Sequence, residues 1–252
     1  MKSCLLNPIG TSPMIVTELY RYLRNVDQSL NDVIIIHTKN SEVIQGAKAA
    51  VASLLTNYDN VRVQLKELKT DDIENSEELN AFLETVIDLM IKERDEYKVD
   101  RFYLNVSGGR KIQTIALSIF AGILGISEVY NVIDKNVKNY NERWELVKMD
   151  IYEFENANDP TTLKAIYNKK RVEYDELFYP DPNILNFLKV PVLIMPVDEK
   201  NVLKKLIMGI TLEDEDFSLA KLKAYQSSGL LTYDRYRTYK TELGGILLKY
   251  IR

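Results

Sequence analysis

The chain has 252 residues, 46% of them hydrophobic and 28% charged, with 33 Lys and Arg against 37 Asp and Glu for a formal charge of −4. This composition excludes a disordered chain, a collagen-like fibre and a coiled-coil rod, and it provides no global basic field for duplex nucleic acid. One cysteine, Cys4, rules out an internal disulfide framework; one histidine, His37, rules out two-histidine acid–base catalysis, HExxH zinc sites and Cys/His zinc clusters within one chain.

The N-terminal MKSCLLNPIGTSP has too short an apolar run for a signal peptide. The longest apolar stretch, about 112–126, carries Gln113, Thr114 and Ser118 and falls short of the roughly 18 residues of a membrane span. A soluble, cytoplasmic protein with no membrane partner is expected.

In chain order, SCLLNPIG is a short apolar run ending in turn residues, and 13–23 is helix-like. DVIIIHT is a buried-strand run. Residues 42–55 are helical, with Val43, Ala47, Ala50, Val51 and Leu54 on one face. VRVQLKEL alternates strictly. Residues 76–92 are helical, with Ser76 as the N-cap. DRFYLNVS is a strand and 110–124 a helix, and SEVYNVID and RWELVKMD read as two last strands. Alternating β and α elements with near-continuous apolar strands predict an α/β fold: a Rossmann-like parallel sheet with helices on both faces.

After Asp150 the pattern changes. Pro160, Pro180, Pro182, Pro191 and Pro196 punctuate it, and Lys169, Lys170 and Arg171 form a short basic knot. A connector is expected at 156–180, between a first domain, 1–155, and a last one, 181–252. The last domain reads as three short helices (182–188, 198–208, 217–227), a hairpin in LLTYDRYRTYK and a closing helix in LGGILLKYI, which is a winged-helix-like pattern. Residues 217–252 hold seven basic and two acidic side chains, net +5.

In a doubly wound sheet of order 3-2-1-4-5-6, ligands bind at the carboxyl ends of strands 1 and 4, where the order reverses. The two turns there are Asn7-Pro8-Ile9-Gly10-Thr11-Ser12-Pro13 and Asn105-Val106-Ser107-Gly108-Gly109-Arg110-Lys111. Each offers glycine, a hydroxyl and a helix start, a combination that suits phosphate. Ser12-Pro13 also fits a structural role as N-cap and first helical residue. The second turn has its own structural reading, a tight turn with two surface cations. Only Gly10 stands in the first turn, so the GxGxxG dinucleotide fingerprint is missing, and no GxxxxGK[ST] occurs. The phosphate ligand is therefore neither NAD nor magnesium-ATP.

The turns NPIGTSP and NVSGGRK, together with the winged-helix-like tail, resemble the CRISPR-associated Rossmann-fold (CARF) proteins, above all the ring nucleases, which bind and cleave cyclic tetra-adenylate. The resemblance runs over the whole chain, and SGGRK is its most specific part. It implies a homodimer with the ring across the two-fold axis. Asn7, Gly10, Thr11 and Ser12 would contact ribose and phosphate, and Ser107, Gly108, Gly109, Arg110 and Lys111 would lie under the ring. It further implies Ser12 and a lysine as the catalytic pair. Lys169 is favoured because a connector can fold over the ring, and Lys111 is the other candidate. The basic knot around Lys169 also reads as a solvated linker.

Metal-free cleavage by the ribose 2′-oxygen needs no histidine and no cofactor. Orientation contributes up to about 7–11 kcal/mol in well-aligned intramolecular reactions, and a cation on the phosphorane oxygens adds electrostatic stabilisation. His37 reads either as an edge residue near an adenine or as a satisfied edge histidine. Tyr225, Tyr233, Tyr236 and Tyr239 fill a small core, stack on adenines or meet DNA. The competing function is a cyclic-oligoadenylate-responsive transcription regulator that binds DNA through its tail. The acidic run Glu213-Asp214-Glu215-Asp216 argues against it. A sensor-activated RNase of the HEPN kind needs a tail histidine, and the tail has none.

Overall fold

The computed structural model describes residues 1–212 and 218–251, with side chains for all of these except 137–141, 143 and 146. Five parallel strands form the centre: β1 (Ser3–Pro8), β2 (Leu30–His37), β3 (Arg62–Glu67), β4 (Arg101–Asn105) and β5 (Glu128–Asp134). A sixth strand, β6 (Leu185–Lys189), adds antiparallel to β5, giving the order β3-β2-β1-β4-β5-β6. The order reverses between β1 and β4, so the crevice lies at Pro8 and Asn105.

The strands alternate their burial between two layers, as the pleat requires. Cys4, Leu6, Ile34 and Ile36 face one core, and Leu5, Val33 and Ile35 face the other. Helices α1 (Ile15–Val26) and α2 (Ser41–Asn57) cover the second face, and α3 (Ser76–Asp95) and α4 (Lys111–Leu124) cover the first. Asn75, one residue before the expected Ser76, caps α3 by accepting from Glu78 N–H at 2.9 Å.

Three expectations change in the second half. RWELVKMD is not a strand but part of α5 (Val137–Ile151). Trp144 and Ile151, seven residues and two helical turns apart, are both buried on the α2 side. The expected connector is two helices, α6 (Pro160–Lys169) and α7 (Arg171–Phe178), and its Tyr167, Tyr174 and Phe178 are buried against α2. The expected helix at 182–188 is a single 3-10 turn, Pro182–Ile184, followed by β6. β6, which falls within the expected last domain 181–252, pairs with β5 and belongs to the sheet.

That small domain contains α8 (Val197–Met208), α9 (Leu219–Ser227), the antiparallel strands β7 (Leu231–Tyr233) and β8 (Thr238–Lys240), and α10 (Glu242–Tyr250). The first part of the expected helix at 217–227 and the acidic run Glu213 to Asp216 lie outside the described residues. Thr211 bridges Arg237, and Leu212 N–H donates to the Tyr236 carbonyl at 2.8 Å, so 210–212 adds a third strand segment to the hairpin. Two helices, not three, precede the hairpin among the described residues. The core of this domain is continuous with the sheet's first face: Leu203, Leu206, Leu231 and Ile246 belong to one cluster with Leu83, Val86 and Leu117. The strap at 190–196 crosses α4 so closely that a Cβ on Gly122 would overlap the Leu193 carbonyl.

Candidate functional site

The two turns meet at the reversal. A Cβ on Gly10 would stand 3.7 Å from the Gly109 backbone, an ordinary contact across the crevice. Gly109 has φ +78°, a left-handed conformation that favours glycine. Gly108 is constrained by space: a Cβ there would overlap Ile15 Cδ1 and lie 2.8 Å from the Pro8 carbonyl oxygen. Beside them opens a cleft of about 170 Å³, lined by Ile9, Gly10, Thr11, Thr38, Asn40, Gly109 and Arg110, among others.

Beneath the turns lies a buried amide pair. Asn105 Nδ2 donates to Asn7 Oδ1 at 3.0 Å and to the Ile15 carbonyl at 3.0 Å, while Asn105 Oδ1 accepts from Ser107 N–H at 3.0 Å. Asn7 and Asn105 are fully buried. Asn7 is thus a support beneath the first turn and does not face the cleft. Ser107 also works as an anchor, because its hydroxyl accepts from Val132 N–H at 2.5 Å. These bonds fix both glycine turns to β1, β4 and β5, so the backbone facing the cleft is preorganised.

Thr11 and Ser12 are exposed, and the Ser12 side chain has no hydrogen-bond partner among the described residues. Ser12 and Pro13 do not start α1; Met14 occupies the N-cap position and Ile15 begins the helix, so the capping role read from sequence is not filled. Arg110 N–H donates to Gln113 Oε1 at 2.7 Å, closing the start of α4. Its guanidinium pairs with Asp72, which holds the Asp72 carboxyl below its ordinary range. Lys111, the first residue of α4, is exposed and has no ion-pair partner among the described residues. With the positive end of α4 it makes the second turn the cationic side of the cleft.

Lys169 is not among the residues lining this cleft. It ends α6 and pairs with Glu153 at 2.6 Å, with 62% of its side chain exposed. Lys170 pairs with Asp150 at 2.5 Å and Arg171 with Asp175 at 3.2 Å, so each cation of the knot has its own acid. His37 is buried, its Nδ1 lies 2.9 Å from the Thr38 carbonyl, and burial pushes its pKa down. That is the satisfied edge histidine. Thr38, Asn40, Gln113 and the Asn7–Asn105 pair were not singled out from sequence. The only signal was an Asn at the end of both central strands. Among the described residues no group of three or more His, Cys, Asp and Glu comes together to hold a metal, and no helix is long and apolar enough to cross a membrane.

The family model described as CRISPR-associated protein NE0113 matches residues 12–219. The chain belongs to this CRISPR-associated family. The match bears out, at family level, the resemblance read from the two turns. The CRISPR system ring nuclease SSO2081 of Saccharolobus solfataricus is 26% identical over 150 residues, covering 55% of this chain and 80% of that protein. Csm6 of Enterococcus italicus, solved bound to cyclic hexa-2′-fluoro-hexa-dAMP, aligns over 90% of this chain at 15% identity and a TM-score of 0.46. The chain spans about half, 48%, of that Csm6 chain.

Proposed function

We propose that the protein is a ring nuclease that binds cyclic tetra-adenylate across a homodimer two-fold and cleaves it without metal, ending the CRISPR signal that the ring carries. The observation that carries this reading is the junction of two glycine turns at the reversal of the sheet, flanked by the exposed Ser12, Arg110, Lys111 and the start of α4. The ring nuclease relative supports the substrate class.

The cleft holds about 170 Å³, below the roughly 300 Å³ lower bound of small-molecule sites, so one protomer's cleft takes a part of the ring and not the whole. A second copy would complete the site. The exposed face of α4 supplies a surface for it, with Ile112, Ile115 and Ile119 at 41, 55 and 64% exposure on one side of the helix that begins at the second turn. A two-fold dimer presents each catalytic set to the ring twice. Two opposite phosphodiesters are then cut and two di-adenylates leave.

The step is intramolecular. A ribose 2′-oxygen attacks the adjacent phosphorus, its proton is lost, and the 5′-oxygen departs with a proton. The product carries a 2′,3′-cyclic phosphate and a 5′-hydroxyl, and nothing is oxidised or reduced. Ser12 orients the sugar-phosphate, and a lysine stabilises charge on the phosphorane oxygens. Lys169 is the favoured candidate for that role, although it pairs with Glu153 outside the cleft. Lys111 is the alternative already beside the turn.

Labelled cyclic tri-, tetra- and hexa-adenylate incubated in EDTA tests the reading. Linear di-adenylate from the tetramer is expected, with about 10²-fold slower cleavage by Ser12→Ala and by whichever of Lys169→Ala and Lys111→Ala removes the decisive cation. Intact rings, or mononucleotides as first products, would overturn it. One observation favours the second reading, a DNA-binding regulator: Arg235, Arg237 and Lys240, around the hairpin, have no ion-pair partner among the described residues. DNA affinity that falls steeply with salt would support that reading.

A further inference from the structure

Arg110 lines the cleft, yet its guanidinium is already engaged. Nε donates to Asp72 Oδ1 at 2.6 Å, and a terminal nitrogen pairs with Asp72 Oδ2. This two-point fork is the geometry with which a guanidinium grips a phosphate. Asp72 therefore occupies the side of Arg110 that a phosphodiester would take.

Asp72 belongs to the loop between β3 and α3, which Thr70 ties to the end of β2 by accepting from Lys39 N–H at 3.0 Å. The carboxylate also accepts from Ile73 N–H at 2.7 Å, which orients it within its own loop. Its neighbour Asp71 lines the same cleft. Of the two cations in the second turn, one is thus docked on an acidic loop, and the other, Lys111, has no ion-pair partner among the described residues.

We propose that Asp72 is a resident competitor for the ring's phosphate, a positioning residue that keeps Arg110 docked on the β3–α3 loop until a phosphodiester displaces it. The inference rests on the ring-binding reading above. Binding then exchanges one anion for another on the same guanidinium. The displaced carboxylate stays beside the incoming phosphate and repels it, so both effects of Asp72 weaken affinity in the same direction. Because Arg110 is largely exposed and Asp72 partly so, the weakening is modest and salt-sensitive.

The test is calorimetry and steady-state cleavage with cyclic tetra-adenylate. Asp72→Asn, which keeps the shape and removes the charge, is expected to bind about twofold to fivefold more tightly. KM should fall with Kd while kcat does not rise. Asp72→Glu, which keeps the charge, should stay near wild type. In an Arg110→Ala background, already weakened, Asp72→Asn should tighten binding less than it does in the wild type, because only the direct repulsion remains to be removed. Binding by Asp72→Asn that equals or falls below wild type, or equal tightening with and without Arg110, would overturn the proposal. A wild-type protein that takes up no ring would instead remove the reading on which it rests.

Discussion

Gly108→Ala tests the junction of the two turns most directly. The new methyl would overlap Ile15 Cδ1, a flexible tip that can rotate away, but it would also stand 2.8 Å from the Pro8 carbonyl, which belongs to the central strand β1 and cannot. Pushing the turns apart is overpacking, at a cost of about 1–3 kcal/mol. For a chain of this size each kcal/mol lowers Tm by about 2–4 °C, so the variant should melt about 2–12 °C below wild type. Misplacing Gly109 and Arg110 should also slow ring cleavage by about 10²-fold. Gly10→Ala is the control: the nearest atoms to its methyl are those of the Gly109 backbone, at 3.7 Å, and stability should stay within about 0.5 kcal/mol. Differential scanning fluorimetry and cleavage of labelled ring read both effects. A Gly108→Ala protein with wild-type Tm and wild-type cleavage would refute the claim that the turns are sterically locked together.

Asn105→Ala leaves Asn7 Oδ1, the Ile15 carbonyl and Ser107 N–H without their partner and should cost about 2–4 kcal/mol in urea unfolding; an unchanged midpoint would refute the anchoring role. Glu18, buried in the first turn of α1, has its carboxyl pushed up to about 8 by burial and then by Asp134. Its folded pKa lies above its unfolded one, so between about 4.5 and 8 the folded state holds a proton that the unfolded chain has released, and stability falls as pH rises through that window. Glu18→Gln should therefore gain stability over wild type at pH 8, on the order of 1–3 kcal/mol, and little at pH 5; an equal difference at both pH values would count against it. If the proposed dimer forms through α4, Ile115→Glu with Ile119→Glu should leave the fold intact and give monomers in light scattering, with loss of ring cleavage. A double variant that is as dimeric as the wild type would refute α4 as the proposed dimer face.

The parallel core was legible because the strands read as short apolar or alternating runs between helices of clear period, and the order of a doubly wound sheet put the reversal between β1 and β4. RWELVKMD misled because its apolar and polar residues alternate over a few positions, whereas the buried Trp144 and Ile151 show the helical period only over a longer window. LNFLK was hidden behind Pro182, a helix-start signal that in fact ends after one 3-10 turn. The glycines of the site could be read from local sequence, since glycine pairs before cations are unusual. The Asn7–Asn105 bond could not, because it joins residues 98 positions apart. Asp72 escaped notice for the same reason: nothing in its own loop indicates that Arg110 lies opposite.

The shared apolar cluster makes the small domain more than a passenger. Leu206 and Ile246 rest on the same oily layer as Leu83 and Val86, so this domain is part of the roof over α3 and α4. Heating should give a single calorimetric peak instead of two. Cutting the chain before α8 would strip that roof, leaving a sticky, aggregation-prone remnant in place of a smaller working enzyme.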